Sequence, residues 1–465
     1  MSLIPNLKSK ENPTPLFLSN KPKKFLVFSE HGEIASLAVY LQDVRHQEVK
    51  LFIPNTDCEK IAEGMVEHVK EWWRCVGENY IWIFDGNNYG DLQDWLRSRS
   101  ELVVGGTKKA DELENSRQAG QQWFKKAGFN QPMSKNFTSI DEAISFVQAH
   151  KNKEWVIKQN GDLPKSLNHI GKFKDSIDTL YHLEELKKSW NDSLGTFDVD
   201  LMEKVEGTEV AASAYFNGNT WMKNKDGKVV GWLNFEEKKS DDGGLGSTCG
   251  ETGTTFIGVD ETNSMFKEIL LKPEIENKLR EVGFKGSFDI NGSWTKSGYV
   301  AFEATCRFGV PSIDYEQLTA TDELENVLEA IAKGEDTPIS IKMGVGMVIV
   351  VTAKPFPYSI TGDDKENTSK DKKLWILDNG VPTNNFSPNQ KKHIFLYNFE
   401  RDENNDYKVA TNEGYLLTCT ASGNTIKTVR KNLLEYIKNN IYIENIKYRQ
   451  DIGARVEDFT SNLFI

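Results

Sequence analysis

The 465-residue chain has only five cysteines, Cys58, Cys75, Cys249, Cys306 and Cys419. They are odd in number, scattered, and without a C-x-x-C pair, which argues against a disulfide framework or a cysteine-built zinc site. No apolar run reaches the roughly 18 residues that a membrane-spanning helix needs. The opening MSLIPNLKSKENPTP lacks the apolar centre of a signal peptide. The reading is a cytoplasmic chain with no membrane partner. Basic residues are in deficit as well: 57 Lys and Arg against 69 Asp and Glu leave a net charge of −12. Such a field disfavours a broad nucleic-acid footprint and leaves room only for a local basic groove.

What is present suits a globular protein, with 38% apolar and 27% charged residues over a length sufficient for about three domains. Residues 1–22 are polar, carry four prolines and read as a loose arm. From Lys24 the pattern alternates short apolar strands (KFLVF, then Val49 to Ile53 and Tyr80 to Phe84) with helical periodicity. That is a parallel sheet with helices on its faces, ending near residue 106. A single long helix is expected from Ala110 to Phe129, and another from Ser139 to His150. Trp155-Val156-Ile157-Lys158 is a buried strand ending in one lysine. The stretch from Glu236 to Gly250 is glycine-rich, lacks apolar periodicity and reads as a surface loop. A buried strand, MGVGMVIVVTA, opens the last part of the chain, and a helix is expected from Ser422 to Asn439.

The most informative stretch is GFKGSFDINGSWTKSGYVAFEATCRFGVPS, Gly283 to Ser312. Two strands flank hairpin chemistry at Trp294 to Gly298. Glu303 and Thr305 leave one face of the second strand, and Asp289 lies roughly opposite Glu303 on the first. Oxygen ligands gathered this way fit a divalent cation, magnesium above all where phosphates also bind. A solvated strand face with scattered charge is the ordinary alternative.

Glu303-Ala304-Thr305-Cys306-Arg307-Phe308-Gly309-Val310-Pro311-Ser312 resembles E-F-N-x-R-F-G-D-P-E of the phosphoribosylamine–glycine ligases, members of the ATP-grasp superfamily. Thr305, Val310 and Ser312 depart from it. Lys158 in VIKQNGD matches V-V-K-A-D-G. Glu203-Lys204-Val205-Glu206-Gly207-Thr208-Glu209 is similar to E-E-x-L-E-G-E-E, and Tyr448 to Arg455, YRQDIGAR, to Y-R-x-D-I-G-x-R. Lys238 and Lys239 stand where the family has K-R, Ser247 and Thr248 where it has N-T, and Arg117 where it has a helix lysine.

The resemblance implies an α/β fold in three parts: an N-terminal α/β domain (23–106), an ATP-grasp module (107–342) with a lid at about 130–200, and a C-terminal α/β domain (343–465). It implies ATP and Mg2+, with Mn2+ as a substitute, and ligation of an amino acid such as glycine to an amine through an acyl phosphate. Arg117 and Lys158 would hold nucleotide phosphates, and Glu203, Lys204, Val205 and Glu209 the adenosine. Glu303, Thr305 and Asp289 would hold the metal. Arg307, Lys238 and Lys239 are the catalytic candidates, and Ser247, Thr248 and Gly309 the substrate contacts. The partners implied are small molecules, with the chain a monomer or homodimer.

Two segments depart from the family. The first turn, Glu30-His31-Gly32-Glu33, replaces G-G-R-E-H-A and sets carboxylates where a phosphate would sit. The lid loop after Lys158 keeps few glycines, and Lys165 and Ser166 are candidates to replace the lost backbone donors. Three readings therefore stay open: the purine-pathway ligase, a relative joining an amino acid to another amine such as a modified nucleotide or base, and a non-catalytic nucleotide-binding relative.

Overall fold

The computed structural model describes residues 22–159, 168–190, 196–319, 324–358 and 368–461; the arm 1–21 and the lid residues Lys165 and Ser166 lie outside this set. Five parallel strands, β1 (Lys24–Phe28), β2 (Glu48–Phe52), β3 (Glu67–His68), β4 (Tyr80–Phe84) and β5 (Leu102–Val104), form the first sheet in the order β3-β2-β1-β4-β5. A parallel sheet is covered on both faces, so its strands are apolar at successive positions. Phe25 and Val27 pack in the core shared with helix α1 (Ala35–Asp43), while Leu26 and Phe28 join Trp82 and Phe84 in the opposite one. The helical pattern expected between β2 and β4 is absent. Ala62 and Gly64 take positive φ, a left-handed geometry that ends a helical run, and 3-10 turns and β3 fill the span. The strand order reverses between β1 and β4. The crevice beyond the carboxyl ends of these two strands is the place where such sheets take ligands.

Helix α2 (Gly90–Ser98) precedes β5. The single helix expected next is two, α3 (Lys108–Asn115) and α4 (Arg117–Lys126). Ser116 interrupts them with extended backbone, and its hydroxyl caps α4 by accepting from Ala119 N at 3.3 Å. Residues 134–203 build an antiparallel sheet in the order β6 (Ser134–Phe137), β9 (Val199–Glu203), β7 (Trp155–Gln159), β8 (His169–Ile170). Helices α5 (Ile140–Ala149) and α6 (Ile177–Ser189) cover it, and Phe137, Val147, Trp155, Leu183 and Leu201 give it a core of its own.

The central sheet has eight antiparallel strands. Its first six run β14 (Gly298–Thr305), β13 (Gly286–Thr295), β10 (Thr208–Phe216), β11 (Val230–Asp241), β12 (Leu245–Asp260) and β15 (Gly344–Thr352), followed by Tyr415–Gly423 and Ile394–Leu396. Two readings change here. The glycine-rich stretch Glu236 to Gly250 is the outer half of the β11–β12 hairpin, turning through Asp242–Gly244, and not a loop. The segment after residue 342 adds its strands to this same sheet, so one layer is continuous across that boundary. The last long helix runs Ile426–Asn440 and starts later than Ser422 because the preceding strand extends to Gly423 and Thr425 supplies the cap.

Candidate active site

The floor of the site is the β13–β14 pair. Asp289 pairs with Thr305, and Asn291 with Glu303. The expected pairing of Asp289 with Glu303 fails for two reasons: the turn sets Thr295 opposite Gly298, one residue off a turn centred on Lys296, and Phe302 is an extra residue between the Ala301–Gly292 and Glu303–Asn291 pairs, a β-bulge that shifts the register by one more. Gly292 makes this approach possible, since a Cβ there would stand 2.3 Å from the Val300 carbonyl oxygen and 2.6 Å from the Tyr299 hydroxyl. The four side chains share one face. Asn291 Nδ2 donates to Asp289 Oδ1 at 2.9 Å, and the Thr305 hydroxyl bonds the same carboxyl.

Cations converge on Glu303 from several elements. Lys158 comes from the end of β7, its ammonium 5.8 Å from the Phe302 ring centre. Arg117 opens α4 and pairs with Asp200 of β9 at 3.1 Å, tying the helix to the small sheet. Lys238 comes from β11 and meets Glu209 at 2.6 Å and Glu236 at 3.1 Å. Arg307 follows β14; its Nε meets Glu114 Oε1 at 2.8 Å, while Glu114 Oε2 accepts from Cys306 N at 3.0 Å.

These charges set the protonation states. Burial alone would raise the Glu303 carboxyl, but Lys158 and then Lys238, Arg117 and Arg307 outweigh it and hold it below its ordinary value. Glu303 remains open to water, so it is an ionised carboxylate on the floor of an open cleft. Asp289 is pushed well up, by burial first and then by Glu236. Glu251, on β12, is pushed well up by the same two causes. Burial lowers Lys158, with Arg117 and Lys238 adding to the effect and Glu303 opposing it. Lys238 is raised well above the usual lysine value, because Glu236, Glu209 and Glu303 overcome its burial. One ionised carboxylate inside a cationic ring, backed by acids whose carboxyls burial pushes up, suits the binding and polarising of phosphoryl oxygens.

Arg307 also faces the β1–β4 crevice, where Glu33 and Asp85 act on it electrostatically. There Ser29 Oγ donates to Asp85 Oδ2, Glu30 N donates to Asp85 Oδ1 at 3.3 Å, and Ile34 N donates to Ser29 Oγ at 3.3 Å. Asp85 is 1% exposed, and burial with Glu33 pushes its carboxyl up to about 7. The turn thus spends the Glu30 and Ile34 N–H groups internally and presents the exposed Glu33 and half-buried Glu30.

Other predicted residues are placed elsewhere. Lys238 and Lys239 do not act as a pair, because adjacent strand residues point to opposite faces. Lys239 Nζ donates to Thr248 Oγ1 at 2.7 Å, and Ser247 Oγ meets the Tyr358 hydroxyl at 2.9 Å. These bonds keep Lys239 and Thr248 within the outer hairpin and tie Ser247 to the segment after β15, and neither involves the Glu303 group. Gly309 accepts from Ile313 N at 2.9 Å and starts the helix Ser312–Thr319. Glu203 pairs with Lys153 at 2.6 Å. Lys204 donates its backbone N–H to the Glu154 carbonyl at 2.8 Å and its ammonium to the Glu154 carboxylate. Val205 lies half-buried between β9 and β10. Sequence reasoning missed Asn291, Glu236, Glu251 and Glu114. Strand periodicity carries the signal for Asn291, two residues from Asp289, and for Glu236, two from Lys238; nothing local marks Glu114 or Glu251. Among the described residues no three His, Cys, Asp or Glu side chains converge to hold a metal ion. A cavity of about 70 Å³ lined by Ser36, Tyr40, Asp43, Lys391 and Arg401 lies behind α1 and contains none of these groups.

A crystal structure of phosphoribosylamine–glycine ligase from Thermotoga maritima matches with a TM-score of 0.68 at 18% identity, over 92% of this chain and 100% of that one. The chain shares the phosphoribosylamine–glycine ligase fold. The biotin carboxylase domain of Hydrogenobacter thermophilus 2-oxoglutarate carboxylase, solved with magnesium ADP and bicarbonate, matches at TM-score 0.57 and 14% identity over 92% and 91% of the two chains. In sequence, a bifunctional purine biosynthetic protein of Saccharomyces cerevisiae is 25% identical over 376 residues, which cover 76% of this chain. They cover only 43% of the yeast protein, so the chain spans less than half the length of that relative. The phosphoribosylamine–glycine ligase of Halalkalibacterium halodurans is 23% identical over 383 residues, 78% of this chain and 79% of that enzyme. No family model matches. No helix among the described residues is long and apolar enough to cross a membrane.

Proposed function

We propose that the chain is an ATP-dependent carboxylate–amine ligase. The observation that carries this is Glu303, held ionised by Lys158, Lys238, Arg117 and Arg307 on the floor of a cleft that reaches the β1–β4 crevice. A carboxylate oxygen of an amino acid such as glycine attacks the γ-phosphorus of ATP and expels ADP. An amine then attacks the acyl phosphate, loses a proton and expels phosphate, leaving an amide. Lys158 and Arg117 hold nucleotide phosphates, Glu209 takes the ribose hydroxyls, and Arg307 orients a carboxylate or phosphate with its planar fork. Lys238 stays charged and offsets the negative charge that develops at the reacting carboxylate.

Magnesium fits these residues. It keeps several waters and needs only one or two protein carboxylates where phosphates supply the rest. Glu303 is ionised and ready, and Asn291, Thr305 and Asp289 offer oxygens on the same face. Bound there, the ion would neutralise the transferring phosphoryl group. Glycine labelled with 18O in its carboxylate tests the reaction class. The label should appear in the released phosphate when ATP and an amine are present. ATP consumption without label in the phosphate would sink the acyl-phosphate route.

The acceptor is a separate matter, and the β1 turn favours an amine other than phosphoribosylamine. A phosphate at this helix start needs backbone donors and a cation. Here two N–H groups are already engaged and Glu30 and Glu33 add charge of the wrong sign. A neutral or cationic amine without a phosphate fits better. Product analysis with phosphoribosylamine set against such amines decides between them.

A further inference from the structure

The hairpin that delivers Lys238 is gripped from its other face. Glu237, next to Lys238, points away from the site and is buried. Arg455 Nε reaches Glu237 Oε1 at 2.9 Å, and Arg449, 3% exposed, reaches Glu237 Oε2 at 3.4 Å. The β11–β12 register shifts between Glu237 and Lys239, so the carbonyls around Lys238 fall out of the regular ladder. They are taken up individually. Thr252 Oγ1 lies 2.9 Å from both the Glu237 and the Lys239 carbonyl oxygens, Arg449 Nη1 donates to Lys239 O at 3.2 Å, and Arg455 Nη2 donates to Glu236 O at 2.7 Å. The hairpin turn is held as well. Gly243 N donates to Asp451 Oδ2 at 2.7 Å and Gln450 N to Asp242 Oδ1 at 2.8 Å. Asp451 in turn binds Arg449 through Nε at 2.8 Å and Nη2 at 2.9 Å.

We infer that Arg449 and Arg455, on the segment Lys447 to Arg455, are positioning residues that fix β11 where β12 bulges away from it and thereby aim Lys238 into the cleft. They touch no reacting group; they act through the Glu237 side chain and the carbonyls on either side of Lys238. The geometry is specific. A lysine in place of Arg449 keeps the charge but cannot hold Asp451 with two nitrogens while reaching Lys239 O. The inference rests on the ligase reading for its kinetic consequence but not for its structural one.

The test uses the full chain. Arg449→Met alone leaves the buried Glu237 with Arg455 as its remaining cation and risks unfolding. The primary variant is therefore the double substitution Glu237→Gln with Arg449→Met, with Arg455→Lys, at a half-exposed site, as the milder companion. The double variant should lower kcat for amide formation tenfold or more, with KM for ATP changed less than twofold. Arg455→Lys should retain most of kcat. A folded double variant with unchanged kcat, or one whose KM for ATP rises as kcat falls, would overturn the inference. A readout independent of activity separates its failure from that of the ligase reading. After reductive methylation with 13C-formaldehyde, the Lys238 dimethylamino signal, assigned with Lys238→Arg, should shift in the double variant. Its titration should move toward that of an exposed lysine. If the signal and its titration stay at their wild-type positions, Arg449 does not position Lys238, whatever reaction the chain catalyses.

Discussion

The two ends of the cleft differ in what they have kept. At the central-sheet end, Lys158, Lys238, Arg117 and Arg307 surround an ionised Glu303, and each comes from a different element. At the crevice end, the turn after β1 has no arginine, and two of its N–H donors, those of Glu30 and Ile34, are bonded to Asp85 and Ser29. Bond-making chemistry depends on charges converging from distant parts of the chain, so it changes only if several elements change together. The acceptor end, on the reading proposed above, rests on one short turn, where two glutamates suffice to reverse the sign. On the ligase reading proposed above, the contrast favours an acceptor amine without a phosphate.

The largest effect is expected at the central-sheet end. Glu303→Gln removes the ionised carboxylate while leaving the strand intact. Magnesium-dependent ATP turnover should fall by about 10³-fold, the equivalent of several kcal/mol of lost charge stabilisation. Activity near wild type would remove Glu303 from the mechanism and flatten the contrast. Next is Lys158→Met, which keeps the stem and removes the charge. ATP affinity should weaken by about 1.5–3 kcal/mol, the range for a charge-assisted hydrogen bond, and calorimetry would read it. An unchanged affinity would move the nucleotide away from β7.

The crevice end should answer in the opposite sense. Glu30→Gly combined with Glu33→Arg restores a cation and backbone freedom to the turn. It should improve kcat/KM for a phosphorylated amine by about tenfold, or about 1.4 kcal/mol. No gain would mean that Asp85, and not the glutamates, governs acceptor choice.

The smallest expected effect lies at the junction of the two regions. Asp314 is fully buried and accepts from Ser36 Oγ at 3.0 Å and Thr418 Oγ1 at 2.5 Å, joining α1 to the central sheet. Burial pushes its carboxyl up to about 7. A raised carboxyl binds its proton more tightly folded than unfolded, so its contribution is full below about pH 4 and is lost as pH rises through 7. The thermal midpoint should therefore fall from about pH 4 to pH 7 and level off above it, at up to about 1.4 kcal/mol per pH unit for this group. The fall should shrink in Asp314→Asn, and only in part because Glu316 is also held near 7 by burial. An undiminished slope in that variant would assign the pH dependence elsewhere.

Much of this was legible from local pattern. The β-α-β start, the buried strand ending at Lys158 and the hairpin carrying Glu303 all follow from apolar periodicity and turn chemistry, which are properties of neighbouring residues. The misses share another cause. Phe302 forms a bulge that no spacing rule announces, and together with a turn centred between Lys296 and Ser297 it sets Asp289 against Thr305. Ser116 broke an otherwise continuous helical pattern because its hydroxyl satisfies the next helix start. The hairpin at Glu236 to Gly250 was hidden because its glycines and charges are stabilised by Arg449, Asp451 and Arg455, some two hundred residues away. Once that stretch is a strand, Glu236 and Lys238 fall on one face and Lys239 on the other, which sequence alone read as a single basic pair.

The most direct test of the contrast is amine-dependent phosphate release from ATP with glycine present, comparing phosphoribosylamine with a panel of amines that lack a phosphate. The account predicts turnover that requires Glu303 and a higher kcat/KM for an unphosphorylated amine than for phosphoribosylamine. Formation of glycinamide ribonucleotide from phosphoribosylamine at an ordinary enzymatic rate, of order 1 per second or more, with no unphosphorylated amine competing, would contradict it.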